Sequence, residues 1–300
     1  MKIFYGPTIR DIRLNKGYSH KEIYTGILSK SYAIPFEKGE HDLTVSKLEK
    51  ILERLELSYE ELVYIHNGYE HVERTQNFKK IAEAANSGNI PKLEEIYLQL
   101  SPKNSDSGKF QAAFARICLE REKNEQTGSE KTTFDKKTVE YISNYLRKKD
   151  SMFLIEINVF INNIDIFPYE LMLILLKQSF KSLKKYRDFY KFPNIVSSLL
   201  VNSLSVILHQ RDWKNFAYYL SQLELYSLDH SQTFERIVYR FYLGISLMID
   251  GKKEEGEQIS LFAIQMLETL EQDKTAKGLL GLLQWFIGDY FKDSKHTKSF

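Results

Sequence analysis

The sequence predicts an all-α protein, in which a five-helix helix-turn-helix domain is followed by a tetratricopeptide-like helical-repeat solenoid. Capping and stop signals recur at short intervals over about the first sixty-five residues. Longer helical patterns then follow in pairs, at roughly forty residues per pair. Short, interrupted β-patterns are absent from the sequence. We place the boundary between two domains, residues 1–67 and 68–300, at the helix-breaking segment 67–69.

Composition limits the class of protein before any motif is considered. The chain has 300 residues and a formal net charge of +2, which excludes a polybasic tail but allows one positive face. Its single cysteine, Cys118, excludes an internal disulfide framework and lies in an amphipathic pattern typical of a buried thiol. The first residues lack the apolar core of a signal peptide, and charged residues interrupt the apolar segment 152–176. We therefore expect a soluble, cytoplasmic protein that does not contact a membrane.

The first predicted helix begins at Pro7 and ends at Gly17. Its isoleucines recur at helical spacing and are expected to pack inward. Arg10 and Arg13 are then expected to face solvent or a phosphate group.

The second and third helices form the central motif. Ser19 and Glu22 have the spacing of a capping box, so a helix begins at about residue 20. Gly26 can adopt the left-handed conformation that ends this helix, and Ser29 can cap the next one, which runs to Gly39. Two short helices joined in this way are typical of a helix-turn-helix, whose second helix enters the major groove of DNA. An ordinary αα-hairpin is the alternative interpretation.

The remaining helices of this domain complete a compact module with segregated charge. Apolar residues recur at helical spacing from 45 to 55, and Ser58 with Glu61 predicts a second capping box. Basic residues outnumber acidic ones in residues 1–40, whereas acidic residues dominate 41–61. The half that contains the motif should therefore face the negative charge of a duplex.

These segments resemble a known family. Residues 17–19, 29–32, 36–40 and 48–55 are similar to the amino-terminal domain of the Rgg/GadR/MutR regulators. These regulators belong to the xenobiotic-response-element type of helix-turn-helix. One departure is Ile34-Pro35, where family members carry Ser followed by Arg or Lys. We expect Pro35 to kink or shorten the recognition helix and to remove a cation from the DNA-facing surface.

The candidate DNA-binding residues divide into two groups. Those expected to contact bases are His20, Lys21, Ser29, Lys30, Ser31 and Tyr32. Those expected to contact phosphates are Arg10, Arg13 and Lys38.

Beyond residue 67 the sequence continues as helix after helix, and the family resemblance extends with it. Segments 156–162, 199–205, 254–256 and 263–264, together with Gly244, resemble the regulatory domain of the same family. The resemblance implies a tetratricopeptide-like array, usually dimeric, whose concave face receives a short signalling peptide in many members.

A peptide in a helical groove needs amide side chains for its backbone and an apolar floor for its side chains. Asn158 and Asn162 are four residues apart and share a helix face, while Asn162 and Asn202 match asparagines of the family. The alternative is that these amides cap turns or bond neighbouring helices. Several peptide-sensing members have an arginine where this chain has Leu154, so we expect an apolar ligand, a substitute cation such as Arg147 or Arg240, or no peptide.

No pattern in the sequence indicates catalysis, a cofactor or a metal. No glycine-rich phosphate loop or local nucleophile motif occurs, and the spacing of His66 and His71 suits no common zinc site. We predict a regulator that is not an enzyme, has no cofactor, and forms a homodimer on promoter DNA under the control of a short peptide. The alternatives are a protein-interaction module with a degenerate helix-turn-helix and an orphan regulator without a peptide.

Overall fold

The computed structural model describes residues 4–127, 133–149, 151–189 and 192–294, with side chains to residue 289. Every regular element in these ranges is helical, which confirms the predicted all-α class. The chain divides into two compact units, residues 1–134 and 135–300. The predicted boundary at residue 67 stays a prediction, because it lies within the first unit.

The first unit contains eight helices within its described residues. They are α1 (Gly6–Asn15), α2 (His20–Tyr24), α3 (Lys30–Glu37), α4 (Val45–Arg54), α5 (Tyr59–His66), α6 (Glu73–Asn86), α7 (Ile90–Leu100) and α8 (Asp106–Thr127). Helices α1 to α5 share one hydrophobic core, and α6 to α8 share another that includes the buried Cys118.

The capping box of α2 and the left-handed glycines form as predicted, whereas Ser29 occupies the N-cap position of α3 without a side-chain capping bond. Ser19 accepts a hydrogen bond from the Glu22 amide, while the Glu22 carboxylate accepts one from the Ser19 amide at 2.7 Å. Gly26 and Gly39 have φ values of +77° and +78°, the left-handed region in which glycine is unstrained. Pro35 lies inside α3, which continues for two residues beyond it to Glu37.

The approach of α1 to α3 is very close. A Cβ on Gly6 would lie 1.7 Å from the carbonyl oxygen of Phe36, so only glycine fits at this position. This contact fixes the start of α1 against the end of α3.

The second unit continues the helical series. Its helices are α9 (Lys136–Arg147), α10 (Leu154–Ile161), α11 (Tyr169–Leu183), α12 (Phe192–His209), α13 (Trp213–Tyr226), α14 (Thr233–Ile249), α15 (Lys253–Thr269) and α16 (Asp273–Ser294). Short 3-10 turns lie at Ile164–Ile166, Lys184–Tyr186 and His230–Gln232. Helices α10, α12 and α14 begin about forty residues apart, the interval that the sequence predicts.

Helix α12 occupies a central position in the second unit. It contacts α10, α11, α13 and α14, and nine of its side chains, among them Val196, Leu200 and Ile207, are buried. By length and composition alone it could span a membrane, but half of its span is already buried against these neighbours. Its apolar character is therefore explained by its place in the core.

Candidate functional site

The start of α3 presents an exposed polar surface. Ser29, Lys30, Ser31 and Tyr32 are all exposed, as the helix-turn-helix interpretation requires. Ser29 is the N-cap residue, but its hydroxyl lies 3.0 Å from the Ser31 hydroxyl rather than capping a backbone amide. The two hydroxyls therefore form a paired donor and acceptor group at the tip of the helix.

Tyr32 is held in place by residues that the sequence reasoning did not select. Its hydroxyl donates a hydrogen bond to the Asp42 carbonyl at 2.8 Å. Its ring lies 5.1 Å from the His41 ring, and the Lys47 Nζ lies 5.6 Å from its centroid. His41 and Lys47 thus add two groups that can be cationic beside the predicted recognition surface. No sequence spacing links them to Tyr32, because the loop between α3 and α4 brings them together.

Four of the cationic residues that are predicted to contact DNA lie on the surface. Arg10, Lys21, Lys30 and Lys38 are exposed, and none forms an ion pair with another residue that the structure describes. Exposed, uncompensated cations around a helix-turn-helix are the groups that bind phosphates and release counterions.

Arg13 requires a correction, because its side chain is not on the surface. It is only 5% exposed, and its guanidinium pairs with the Glu37 carboxylate through two hydrogen bonds of 2.7 and 3.0 Å. A third bond, of 2.7 Å, reaches the Tyr18 carbonyl. The expectation that Arg13 meets solvent or phosphate is therefore wrong, and this residue instead ties α1 to the end of α3.

His20 belongs to the same buried network. Its Nε2 lies 3.1 Å from the second Glu37 oxygen, and its Nδ1 is buried with no hydrogen-bond partner among the residues that the structure describes. Tyr24 donates a further hydrogen bond to Glu37 at 2.6 Å. His20 is still partly exposed, but one of its ring nitrogens is already committed to Glu37.

Glu37 is the centre of this network and remains ionised. Burial alone raises the pKa of Glu37, but the hydrogen bonds from Arg13 and Tyr24 outweigh it and hold that pKa below its usual range. The same contact with Glu37 raises the pKa of Arg13, whereas burial is the main cause that raises the pKa of Tyr24. The network is thus a buried ion pair that positions α3.

In the second unit, the three candidate asparagines surround the end of α10. Asn162 caps α10 and donates its side-chain amide to the Asn158 carbonyl at 2.7 Å. Asn202, on α12, donates to the Ile161 carbonyl at 3.1 Å. The Asn158 carbonyl also accepts the Asn162 backbone amide at 3.1 Å, so the Asn162 side chain adds a second hydrogen bond there, whereas Asn202 supplies a partner to the last carbonyl of α10 from a neighbouring helix. All three side chains are exposed, so Asn158, Asn162 and Asn202 form one polar surface.

The start of α10 contains Leu154, the position at which several members of the resembled family have an arginine. Leu154 is the first residue of the helix, and Glu156 is buried. The Glu156 carboxylate accepts hydrogen bonds from the Tyr145 hydroxyl at 3.0 Å and the Phe153 amide at 3.1 Å. Glu156 therefore stabilises the helix start.

Arg240 lies in a separate cleft formed by α14, α15 and the segment before them. The cleft has a volume of about 590 Å³ and is lined by apolar side chains that include Ile237, Ile259, Phe262 and Met266. Arg240 is exposed at this cleft, which none of the three asparagines lines. An apolar cleft with a few polar groups is the usual form of a small-ligand site.

Comparison with known proteins identifies relatives for nearly the whole chain. Residues 92–279 match the family described as "HTH-type transcriptional regulator Rgg, C-terminal domain". A protein of Listeria monocytogenes EGD-e assigned as a transcriptional regulator is 26% identical, with a TM-score of 0.82 over 95% of this chain and 98% of that chain.

Two further structures share the fold at lower identity. The SHP pheromone receptor Rgg2 of Streptococcus dysgalactiae is 19% identical, with a TM-score of 0.74 over 93% of this chain and 98% of that one. PrgX in complex with cCF10 is 17% identical, with a TM-score of 0.67 over 93% and 98% of the two chains. The predicted class, a helix-turn-helix domain with a tetratricopeptide-like array, is thereby confirmed.

Proposed function

The chain belongs to the Rgg family of helix-turn-helix transcriptional regulators, and we propose that it binds operator DNA through α1 to α3 and a short apolar peptide through its second unit. As a homodimer in the cytoplasm, it would place two α3 helices on half-sites about one helical turn of DNA apart. The peptide would favour one state of the dimer and so change its occupancy on DNA.

The observation that carries the DNA-binding part is the exposed surface around α3. Paired hydroxyls of Ser29 and Ser31 stand at the tip of the helix, between exposed cations of α1, α2 and α3. Hydroxyl groups can read base edges, while lysine and arginine neutralise phosphates. The buried pair of Arg13 and Glu37 supports this surface from behind by holding α1 against α3.

Two substitutions separate base recognition from phosphate binding. Arg10→Ala should weaken binding to all sequences alike and reduce the steepness of the salt dependence, since it removes one phosphate contact. Ser31→Ala should instead change the preferred sequence at one position of each half-site. Selection of random duplexes followed by binding titrations at several salt concentrations measures both effects. Equal, sequence-independent losses from the two variants would mean that another helix enters the groove.

Pro35 provides the test against the alternative of a degenerate helix-turn-helix. Pro35→Arg restores a backbone donor and a cation in the middle of α3. We expect the native chain to shift its own promoter region in a salt-sensitive manner and the variant to bind more tightly. DNA binding by the variant alone would identify the native module as a protein-docking domain.

The peptide-binding part rests on the polar surface at the end of α10 and the apolar cleft beside Arg240. Rgg2 is a pheromone receptor and PrgX was solved with cCF10, which makes a peptide the first ligand to test. Amide oxygens and nitrogens can follow an extended peptide backbone, and an apolar cleft can take its side chains. Leu154 lies where peptide-sensing relatives have arginine, so the ligand should lack an acidic group at that point.

Calorimetry with apolar peptides encoded near the gene tests this part. Asn158→Ala should weaken peptide binding without loss of stability, because the Asn158 side chain makes no hydrogen bond with the described residues. Asn202→Ala should weaken binding and also loosen the end of α10, since it removes the bond to the Ile161 carbonyl. Unchanged affinity in both variants would remove the α10 surface from the site, and no binding by any peptide would favour the orphan regulator.

A further inference from the structure

A second pocket of the second unit contains a row of lysines. It lies between α11 and α13 and has a volume of about 310 Å³. Lys177, Lys181 and Lys184 line it, and their spacing of four and three residues places them on one face of the helical segment. Neither the candidate asparagines nor Arg240 lines this pocket, so it is distinct from the sites described above.

The three lysines are not neutralised by their surroundings. All three are exposed, and within the described part of the chain none of them forms an ion pair and no acidic side chain lines the pocket. Like charges three and four residues apart on a helix repel one another. The row is therefore a local excess of positive charge.

Asp212, the acidic group on which the charge of Lys177 acts, already has other partners. Asp212 accepts hydrogen bonds from the Asn215 amide at 3.1 Å, from the Asn215 side chain at 2.7 Å and from the Tyr169 hydroxyl at 2.8 Å. Burial raises the pKa of Asp212, but these bonds and the charge of Lys177 outweigh it and keep the carboxylate ionised. Asp212 thus fixes Asn215 at the pocket, and within the described residues it forms no ion pair with any of the three lysines.

Aromatic rings form the rest of the pocket. Phe180 and Tyr219 are buried, whereas Tyr218 is 48% exposed and presents its ring to solvent. The Lys184 Nζ lies 5.9 Å from the Phe180 centroid, which keeps that cation at the rim. Asn215 donates its side-chain nitrogen to Asp212, so its amide oxygen is the atom it can offer to a ligand.

We propose that this pocket binds a nucleoside polyphosphate, with its phosphates along the three lysines and its base on the exposed ring of Tyr218. The lysines span about 10 Å along the helix, a length suited to a chain of two or three phosphates. The volume lies near the lower limit for small-ligand pockets and fits one nucleotide rather than a duplex. Base stacking on an aromatic ring tolerates any base, so the chemistry selects the polyphosphate class before a particular base.

Isothermal titration calorimetry on the full-length protein tests the proposal with ATP, inorganic tripolyphosphate and adenosine. We expect one ATP site per chain, weaker binding of tripolyphosphate and none of adenosine. Lys177→Ala with Lys181→Ala should weaken ATP binding by about tenfold, because two charge-assisted contacts are lost. The matched control, Lys185→Ala with Lys214→Ala, removes two exposed lysines that do not line the pocket and should leave the affinity unchanged. Tyr218→Ala should weaken ATP binding but leave the affinity for tripolyphosphate unchanged.

Each other outcome would overturn the assignment. Equal losses in the lysine variant and in its control would indicate a nonspecific effect of charge. ATP and tripolyphosphate binding alike, with no effect of Tyr218→Ala, would indicate a simple anion site. Tighter binding of an oligothymidine or of an acidic peptide than of ATP at the same lysines would assign the pocket to a different class of partner. No binding of ATP would reject it outright.

Discussion

Among individual residues, Glu37 joins α1, α2 and α3 beneath the predicted DNA-binding surface. Its side chain is 4% exposed and accepts hydrogen bonds from Arg13 and Tyr24, with His20 within 3.1 Å. A buried ion pair contributes little net stability compared with a well-packed apolar pair, but breaking it leaves an unpaired charge in the interior. The network therefore determines where α1 and α3 lie rather than adding much to the total free energy of folding.

Glu37→Gln should destabilise the helix-turn-helix by about 3–5 kcal/mol, because Arg13 is left buried without its counter-ion. Hydrogen exchange of the α1 and α3 amides measures the local loss at neutral pH. Glu40→Gln, which changes an exposed glutamate three residues away, is the matched control and should have no effect. Replacing the pair with Arg13→Met and Glu37→Leu should restore most of the protection. A Glu37→Gln protein with native exchange rates would contradict the role assigned to the pair.

The same residue predicts a pH dependence. The folded pKa of Glu37 lies below its ordinary value of 4.5, so the unfolded chain takes up the proton first as the pH falls. The stabilisation is therefore complete above about pH 4.5 and is lost as the pH falls through the folded pKa. Protection of α1 and α3 should decline over this range in the native protein and much less in Glu37→Gln. Parallel declines in the two proteins would assign the acid sensitivity to other carboxylates.

Sequence reasoning placed Arg13 on the surface although its position carried a contrary signal. Residue 13 lies four after the buried Ile9, on the same helix face, and residue 37 lies four after the buried Ala33. Opposite charges on the core-facing sides of two neighbouring helices are typical of a buried ion pair. Their pairing itself could not be predicted, because it depends on how α1 and α3 approach in space.

At the scale of elements, prediction succeeded where the signals are local. The capping box of α2 forms as predicted, and Gly26 has the left-handed conformation that was expected to end this helix. In helix α6 the local signal is ambiguous: Ala82 is exposed, whereas Ala84 is buried together with Ile81. Alanine is small enough for either environment, so only the packing of α7 and α8 decides which one faces the core.

The crossing of α14 and α15 depends on two facing glycines. A Cβ on Gly244 would lie 2.2 Å from the Ser260 Oγ and 2.4 Å from the Gly256 carbonyl oxygen. Ser260 is buried and donates a hydrogen bond across the crossing to the Phe241 carbonyl at 2.9 Å. The same two helices line the Arg240 cleft. The shape of that cleft therefore depends on how closely the two backbones approach at these glycines.

Gly244→Ala should destabilise the second unit by about 1–3 kcal/mol, because backbone atoms must move apart to admit the methyl group. Gly278→Ala in α16 is the matched control: no atom lies within 4 Å of its added Cβ, so helix propensity should stabilise the unit by up to about 1 kcal/mol. Both tryptophans, Trp213 and Trp285, belong to this unit, so urea unfolding followed by tryptophan fluorescence reports its stability. Equal effects of the two substitutions would mean that α14 and α15 can separate without cost.

At the scale of the whole molecule, the candidate functions belong to different compact units. The surface around α3 lies in residues 1–134, and the α10 surface, the Arg240 cleft and the lysine pocket lie in residues 135–300. A ligand of the second unit can control DNA binding only if it has different affinities for the free and DNA-bound forms of the protein. The family resemblance predicted that DNA binding and peptide binding belong to different parts of the chain. It could not predict whether the peptide strengthens or weakens DNA binding, because the coupling free energy depends on two states of the whole protein.

The coupling must be reciprocal, which gives a prediction for the intact protein. If an apolar peptide changes the affinity for operator DNA by a given factor, bound operator DNA must change the peptide affinity by the same factor, about 5- to 150-fold for typical coupled sites. Titrations of the protein with DNA, in the presence and absence of peptide, give the first factor. Titrations with peptide, in the presence and absence of DNA, give the second, and the two factors should be equal. Arg10→Ala should weaken both DNA affinities equally and leave the factor unchanged, because it removes a phosphate contact common to both states. A peptide that binds the second unit with identical affinity in the presence and absence of operator DNA would exclude it as the regulatory signal, however tightly it binds.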